Sequence, residues 1–132
     1  DELARVNDIC VEHLSKGKHV AVYTSRELQN VDNSESYLAF GNKIASTLAR
    51  LTKNLPVHPR FLVAKGGITS SVLATEALGI RIARVLGQII DGVSVWRAVD
   101  AQESNHVGLP LIVFPGNVGD EQALVSILEL LD

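Results

Sequence analysis

RFLVAKGGITSSVLATEAL, residues 60–78, changes its periodicity partway through. Its first five residues, RFLVA, are a continuous apolar run of strand length, the pattern of a strand covered on both faces. KGGITSS interrupts that run, and VLATEAL then takes up helical spacing until Gly79 closes it. Strand, glycine turn and helix in direct succession are the unit from which largely parallel sheets between helical layers are built.

The flanking sequence extends the pattern in both directions. Upstream, residues 34–54 place Leu38, Gly41, Ile44, Ala45, Leu48 and Leu51 on one helical face, with Pro56 and Pro59 ending the helix. HVAVYTS, residues 19–25, is predicted as a further buried strand, followed by a polar loop over 26–33. Residues 1–18 form a leading amphipathic helix that packs on the sheet and stops at Lys16-Gly17-Lys18. Cys10 shares its stripe with Leu3, Val6 and Leu14 and reads as a small buried apolar residue.

Downstream, residues 80–90 and 93–99 are strand-like and joined by Asp91-Gly92, which predicts an antiparallel hairpin. Trp96, on its second strand, either packs on a neighbouring layer or forms a wall for a ring. After a polar segment over 100–108, LPLIVF (109–114) reads as another strand, and PGNVGDE leads into a last helix marked by Ala123, Leu124, Ile127, Leu128 and Leu131. The expected fold is α/β: a three-layer, mostly parallel sheet with helices on both faces and an antiparallel hairpin at one edge. It is expected to be a single domain over residues 1–132, a C-terminal fragment of a larger protein, since the chain has no methionine.

Composition narrows the partners. Twelve Lys and Arg against fifteen Asp and Glu, with no basic run and 5% aromatic residues, argue against nucleic acid. No stretch reaches the roughly 20 apolar residues of a membrane span. A single cysteine permits no internal disulfide and fits a cytoplasmic setting. His13, His19, His58 and His106 stand singly in the sequence without metal-like spacing.

In open α/β sheets, ligands bind at the carboxyl ends of strands, where helix N-termini present unpaired N–H groups. Three strand ends are predicted: Tyr23-Thr24-Ser25; the turn Lys65, Gly66, Gly67, Ile68, Thr69; and Gly116, Asn117, Val118, Gly119. Gly66 and Gly67 allow the backbone to approach a ligand closely, Thr69 and Ser70 add hydroxyls, and Lys65 brings an ammonium to an anion in the same turn. The same residues also make an ordinary tight turn with Thr69 or Ser70 as N-cap. Asp120 and Glu121 act either as helix-start residues or, through a magnesium ion, on a phosphate. Ser25 and Arg26 either touch a nucleotide or form a turn without ligand. No paired carboxylates, Ser/His/Asp order or Cys/His set completes a catalytic machine.

FLVAKGGITSSVLATEALGI, RVLGQIIDGVSVW and GLPLIVFPGNVGDEQAL together resemble the C-terminal domain of the four-carbon acid sugar kinases over about residues 19–131. The GGIT and PGNVGDE turns, about fifty residues apart, are the most specific parts. The resemblance implies a kinase that uses ATP and Mg2+ to phosphorylate sugar acids such as threonate or erythronate. It implies ATP contacts at Ser25, at Gly66 to Thr69 and at Gly116, with Asn117 and Gly119 shaping the second loop. The sugar acid and the activating base are expected on a separate N-terminal domain, absent from this chain, so that the fragment binds ATP or ADP without completing the reaction. Ile68 stands where the family often carries an acidic residue. The alternative is a non-catalytic nucleotide-sensing or structural domain of a multifunctional sugar-metabolism protein. The sequence leaves the oligomeric state open, a homo-oligomer included.

Overall fold

The apolar run LIVF becomes an inner strand of the sheet in the computed structural model, which describes residues 1–25, 34–101 and 106–132. The elements are α1 (Glu2–Ser15), α2 (Ser34–Lys53), β1 (Leu62–Lys65), α3 (Gly67–Val72), β2 (Ile80–Ile90), β3 (Val93–Ala101), β4 (Leu111–Phe114) and α4 (Ala123–Leu131). Strand order is β1-β4-β3-β2. β1 pairs with β4 in parallel, whereas β4 with β3 and β3 with β2 are antiparallel. Three of the four strands therefore run in one direction and β3 is reversed. The α/β class is as expected, but the hairpin expected at an edge supplies half of the sheet.

Helices cover both faces. On one, Ala49 of α2 packs with Ala64, Leu111, Leu73, Ala74 and Ala77. On the other, Ala123 and Ile127 of α4 pack with Val93, Ile112 and Phe114. The alternation of Leu111, Ile112 and Val113 between these layers explains why β4 is apolar at every position: both of its faces are covered, with Val113 alone partly exposed. α3 widens into a single π-type turn over Leu73–Ala77, closed by the Leu78 N–H donating to the Leu73 carbonyl at 3.0 Å. Trp96 packs against the α2 side, and its indole N–H donates to Ser94 Oγ at 3.1 Å.

Residues 19–25 form no strand, correcting the expectation from their apolar run. Residues 21–25 are exposed, Tyr23 to 83%, and His19 is held at the end of α4 by Asp132 Oδ1 at 3.0 Å and by the Phe61 ring. Strand propensity becomes a strand only where a partner ladder accepts it, and this segment pairs with none of the described strands. Nor does α1 join the sheet layers: its buried residue, Cys10, lies outside both apolar clusters. The face of α2 is buried only in its second half, at Ala45, Ala49 and Leu51, and Leu38 is exposed. The polar loop expected at 26–33 falls outside the described residues, as do 102–105 of the segment expected at 100–108; Asp100 and Ala101 of that segment belong instead to β3.

β2 and β3 outrun the rest of the sheet. Their ladder spans Ile80↔Ala101 to Ile90↔Val93, whereas β4 pairs β3 only over Ser94, Val95 and Trp96. Along the free half, Arg84 faces Arg97 across the ladder, and Ile82 and Val99 are exposed; Val85, opposite Trp96 at its border, is exposed too.

Leu111→Ala, at a fully buried inner-strand position, is expected to lower stability by about 2–5 kcal/mol in urea denaturation. Burial pushes the Cys10 thiol above its ordinary range, so less thiolate is present at neutral pH. Reaction of native protein with Ellman's reagent at pH 7 should accordingly run at least about tenfold slower than that of the urea-unfolded chain.

Candidate functional site

Because β1, β4 and β2 share one direction, Lys65, Phe114 and Ile90 end on a common rim. The turns leaving β1 and β4 are neighbours there. The Gly66 N–H donates to the Phe114 carbonyl at 2.8 Å, and a Cβ built on Gly116 would stand 4.0 Å from Gly66 Cα. The two glycine turns are thus in direct apposition.

The first turn leaves a helix start uncapped. Gly66, at φ 104° and ψ 142°, occupies backbone space that side chains disfavour, and as N-cap it supplies no side-chain acceptor. The first helical bond runs from the Ser70 N–H to the Gly66 carbonyl at 2.9 Å, so Gly67, Ile68 and Thr69 have amides without intrahelical acceptors. A Cβ on Gly67 would meet nothing within 4 Å, which leaves the space beside the turn open. Thr69 Oγ1 lies against Gly66, the nearest atom to a Cβ built there. Ser70, expected to offer its hydroxyl to a ligand, instead donates it to the Ala64 carbonyl at 3.0 Å and is buried. It braces the turn, and the N-cap position belongs to Gly66 rather than to Thr69 or Ser70.

Lys65 connects the two turns. Its ammonium sits 4.4 Å from the centroid of the Phe114 ring. Gly119 closes over the same ring: a Cβ there would come within 3.3 Å of Phe114 and 2.6 Å of Ala123 Cβ, at φ 81°. Gly119 is therefore required by packing and by backbone conformation.

The second turn differs from the expected copy of the first. Asp120 Oδ1 accepts the Gln122 N–H at 2.9 Å, and residues 120–122 intervene before α4 begins at Ala123. Asp120 is exposed and closes this short turn ahead of the helix with one carboxylate oxygen. Gly116 and Asn117 are exposed, whereas Val118 is partly buried against Gly92 of the hairpin turn. Ser25 lies in an exposed segment without regular structure rather than at a strand end, and Arg26 lies outside the described residues. Thr24 lines a cleft of about 240 Å³ with Phe40, Lys43, Ile44 and Leu48.

Two juxtapositions carry no signal in the sequence. Gly92 meets Val118, and His58 meets His106 on the opposite rim, each pair joined by the topology alone.

The sequence matches the model of the nucleotide-binding C-terminal domain over residues 1–124, and the chain belongs to that family. Two crystal structures of a domain of unknown function (DUF1537) from Bordetella bronchiseptica, in different space groups, share the fold. Both are domain-swapped dimers with bound citrate; their TM-scores are 0.67 and 0.60, each at 18% identity over 98% of this chain. This chain spans 30% of the length of those proteins. No curated protein matches the sequence.

Two alanine substitutions separate open from closed glycines. Gly67→Ala should remain within about 1 kcal/mol of the parent stability. Gly119→Ala should lose about 2–4 kcal/mol in the same urea titration, through overpacking and strain.

Proposed function

We propose that the apposed glycine turns bind ATP with Mg2+, and that the chain is the nucleotide-holding half of a kinase for four-carbon sugar acids. The observation that carries this reading is the contact of the Gly66 and Gly116 turns on one rim, beside open space at Gly67. Membership of the nucleotide-binding family supports the same conclusion. Phosphate oxygens accept hydrogen bonds from the amides of Gly67, Ile68 and Thr69 and from the Thr69 hydroxyl. Lys65 supplies positive charge, and Gly116 and Asn117 close the other side.

Among the described residues, no group of three His, Cys, Asp or Glu is arranged to hold a metal ion. Mg2+ suits such a site because it takes most of its ligands from phosphate oxygens and water, with one or two carboxylates at most. Asp120 and Glu121 are the carboxylates of the second turn available to it. When bound, the ion neutralises charge on the transferring phosphoryl group. The chain's own contribution is to orient the phosphates and to stabilise charge with fixed amides, the main requirements of phosphoryl transfer. The acceptor and its activating base belong to the N-terminal sugar-acid-binding domain that the family resemblance implies.

A second reading, a nucleotide sensor without catalysis, is favoured by Ile68. It is 50% exposed at the first turn of α3, where the resemblance leads one to expect a carboxylate. For assembly, the domain-swapped dimers among similar structures support a homo-oligomer.

Differential scanning fluorimetry with Mg-ATP tests the binding reading. A rise in Tm is expected for the parent chain, with loss of that rise in Gly67→Val and Gly116→Val at little change in their ligand-free Tm. Absence of any shift with ATP, ADP or other nucleotides in the folded parent chain would overturn it.

A further inference from the structure

At the rim opposite the glycine turns, two histidines separated by 48 positions meet. His106, 4% exposed, sits in the loop entering β4, and His58 lies on the surface in the link between α2 and β1. Their Nδ1 atoms are 3.1 Å apart, with ring centroids at 5.1 Å and planes at 80°. His106 Nε2 lies 2.9 Å from the Thr52 carbonyl. A carbonyl only accepts, so Nε2 carries the hydrogen and the neutral ring presents the Nδ1 lone pair towards His58.

This is the setting of a metal-binding imidazole, one nitrogen anchored on a backbone carbonyl and the other facing the ion. Two imidazoles on a tetrahedral ion, each about 2.05 Å away, place their nitrogens about 3.3 Å apart and their centroids about 5 Å apart. The observed 3.1 Å and 5.1 Å are close to those spacings, and an ion would take the place of the hydrogen that His58 Nδ1 directs at His106 Nδ1. The pair opens on a cleft of about 420 Å³ that also borders Arg60, Gly108 and Pro110, with room for water to complete a coordination shell. Arg60, a cationic residue in the lining of the cleft, has its guanidinium 3.6 Å from the Asp132 carboxylate, which weakens its repulsion of a cation.

We propose that His58 and His106 form a two-imidazole site for a borderline divalent ion such as Zn2+ or Ni2+, with solvent in the remaining positions. Imidazole nitrogen selects these ions over Mg2+, which demands oxygen. The site is separate from the nucleotide reading and needs no nucleotide. An ion held there ties the α2–β1 link to the β3–β4 loop at the foot of the two strands whose upper ends carry the glycine turns.

Calorimetric titration of the chain with zinc chloride at neutral pH, without nucleotide, tests the site. One zinc per chain is expected, with affinity at least about tenfold weaker in His58→Ala, unchanged in His19→Ala and insensitive to millimolar Mg2+. His106→Asn should behave as His58→Ala. Should burial prevent that variant from folding, the surface variant His58→Ala decides. No zinc uptake by the parent chain, or equal uptake by the parent and His58→Ala, would overturn the proposal and leave a hydrogen-bonded imidazole pair.

Discussion

The parallel ladder between β1 and β4 is the constraint on which the rest of the molecule depends. It runs in register from Leu62↔Leu111 to Lys65↔Phe114. It is extended at the foot by the Leu62 N–H to the Pro110 carbonyl and at the top by the Gly66 N–H to the Phe114 carbonyl. Parallel pairing obliges both chains to leave the sheet on one side, which is why two turns far apart in sequence lie together. A slip of β4 by one residue would turn Leu111 away from the α2 layer and Phe114 away from α4, and would shift Gly116 out of register with Gly66.

Packing on the two faces holds that register. Small residues on the α2 side, Ala49, Ala64, Ala74 and Ala77, let helix and sheet backbones approach closely, while Phe114 and Ile127 fill the other layer. The rim is braced by contacts of different kinds: Ser70 Oγ to the Ala64 carbonyl, Lys65 over the Phe114 ring, and Val118 against Gly92. The first ties α3 to β1, the second ties the ends of β1 and β4, and the third joins the turn after β4 to the hairpin turn, so the backbone amides beside Gly67 start from a braced strand end.

Much of this was legible in the sequence, because continuous apolar runs and glycine punctuation are local signals. β4, the hairpin around Asp91-Gly92, α2 and α4 follow directly from such patterns, as does the placing of Gly66 and Gly116 at strand ends. What could not be read is non-local. The run at residues 19–25 looks like a strand, yet a ladder needs a partner at the right place. Ser70 looks like a ligand group, yet its hydroxyl turns back to Ala64. The bond that Asp120 accepts from the Gln122 N–H, just ahead of α4, is likewise a matter of local geometry that the residue type alone does not announce. His58 and His106 carry no spacing signal because their meeting is a product of the chain's path, not of its periodicity.

The overhanging half of the β2–β3 hairpin bears on how this chain behaves in concentrated solution. A long edge strand with outward Ile82 and Val85 offers free main-chain groups to any extended segment that drifts past, the circumstance from which intermolecular sheets grow. Arg81 and Arg84 on that strand, with Arg97 beside them, set like charges against each other at a small cost to the hairpin itself. The same crowding of guanidinium groups repels a second copy aligning its own edge there, so electrostatic repulsion guards a margin that hydrophobicity leaves adhesive.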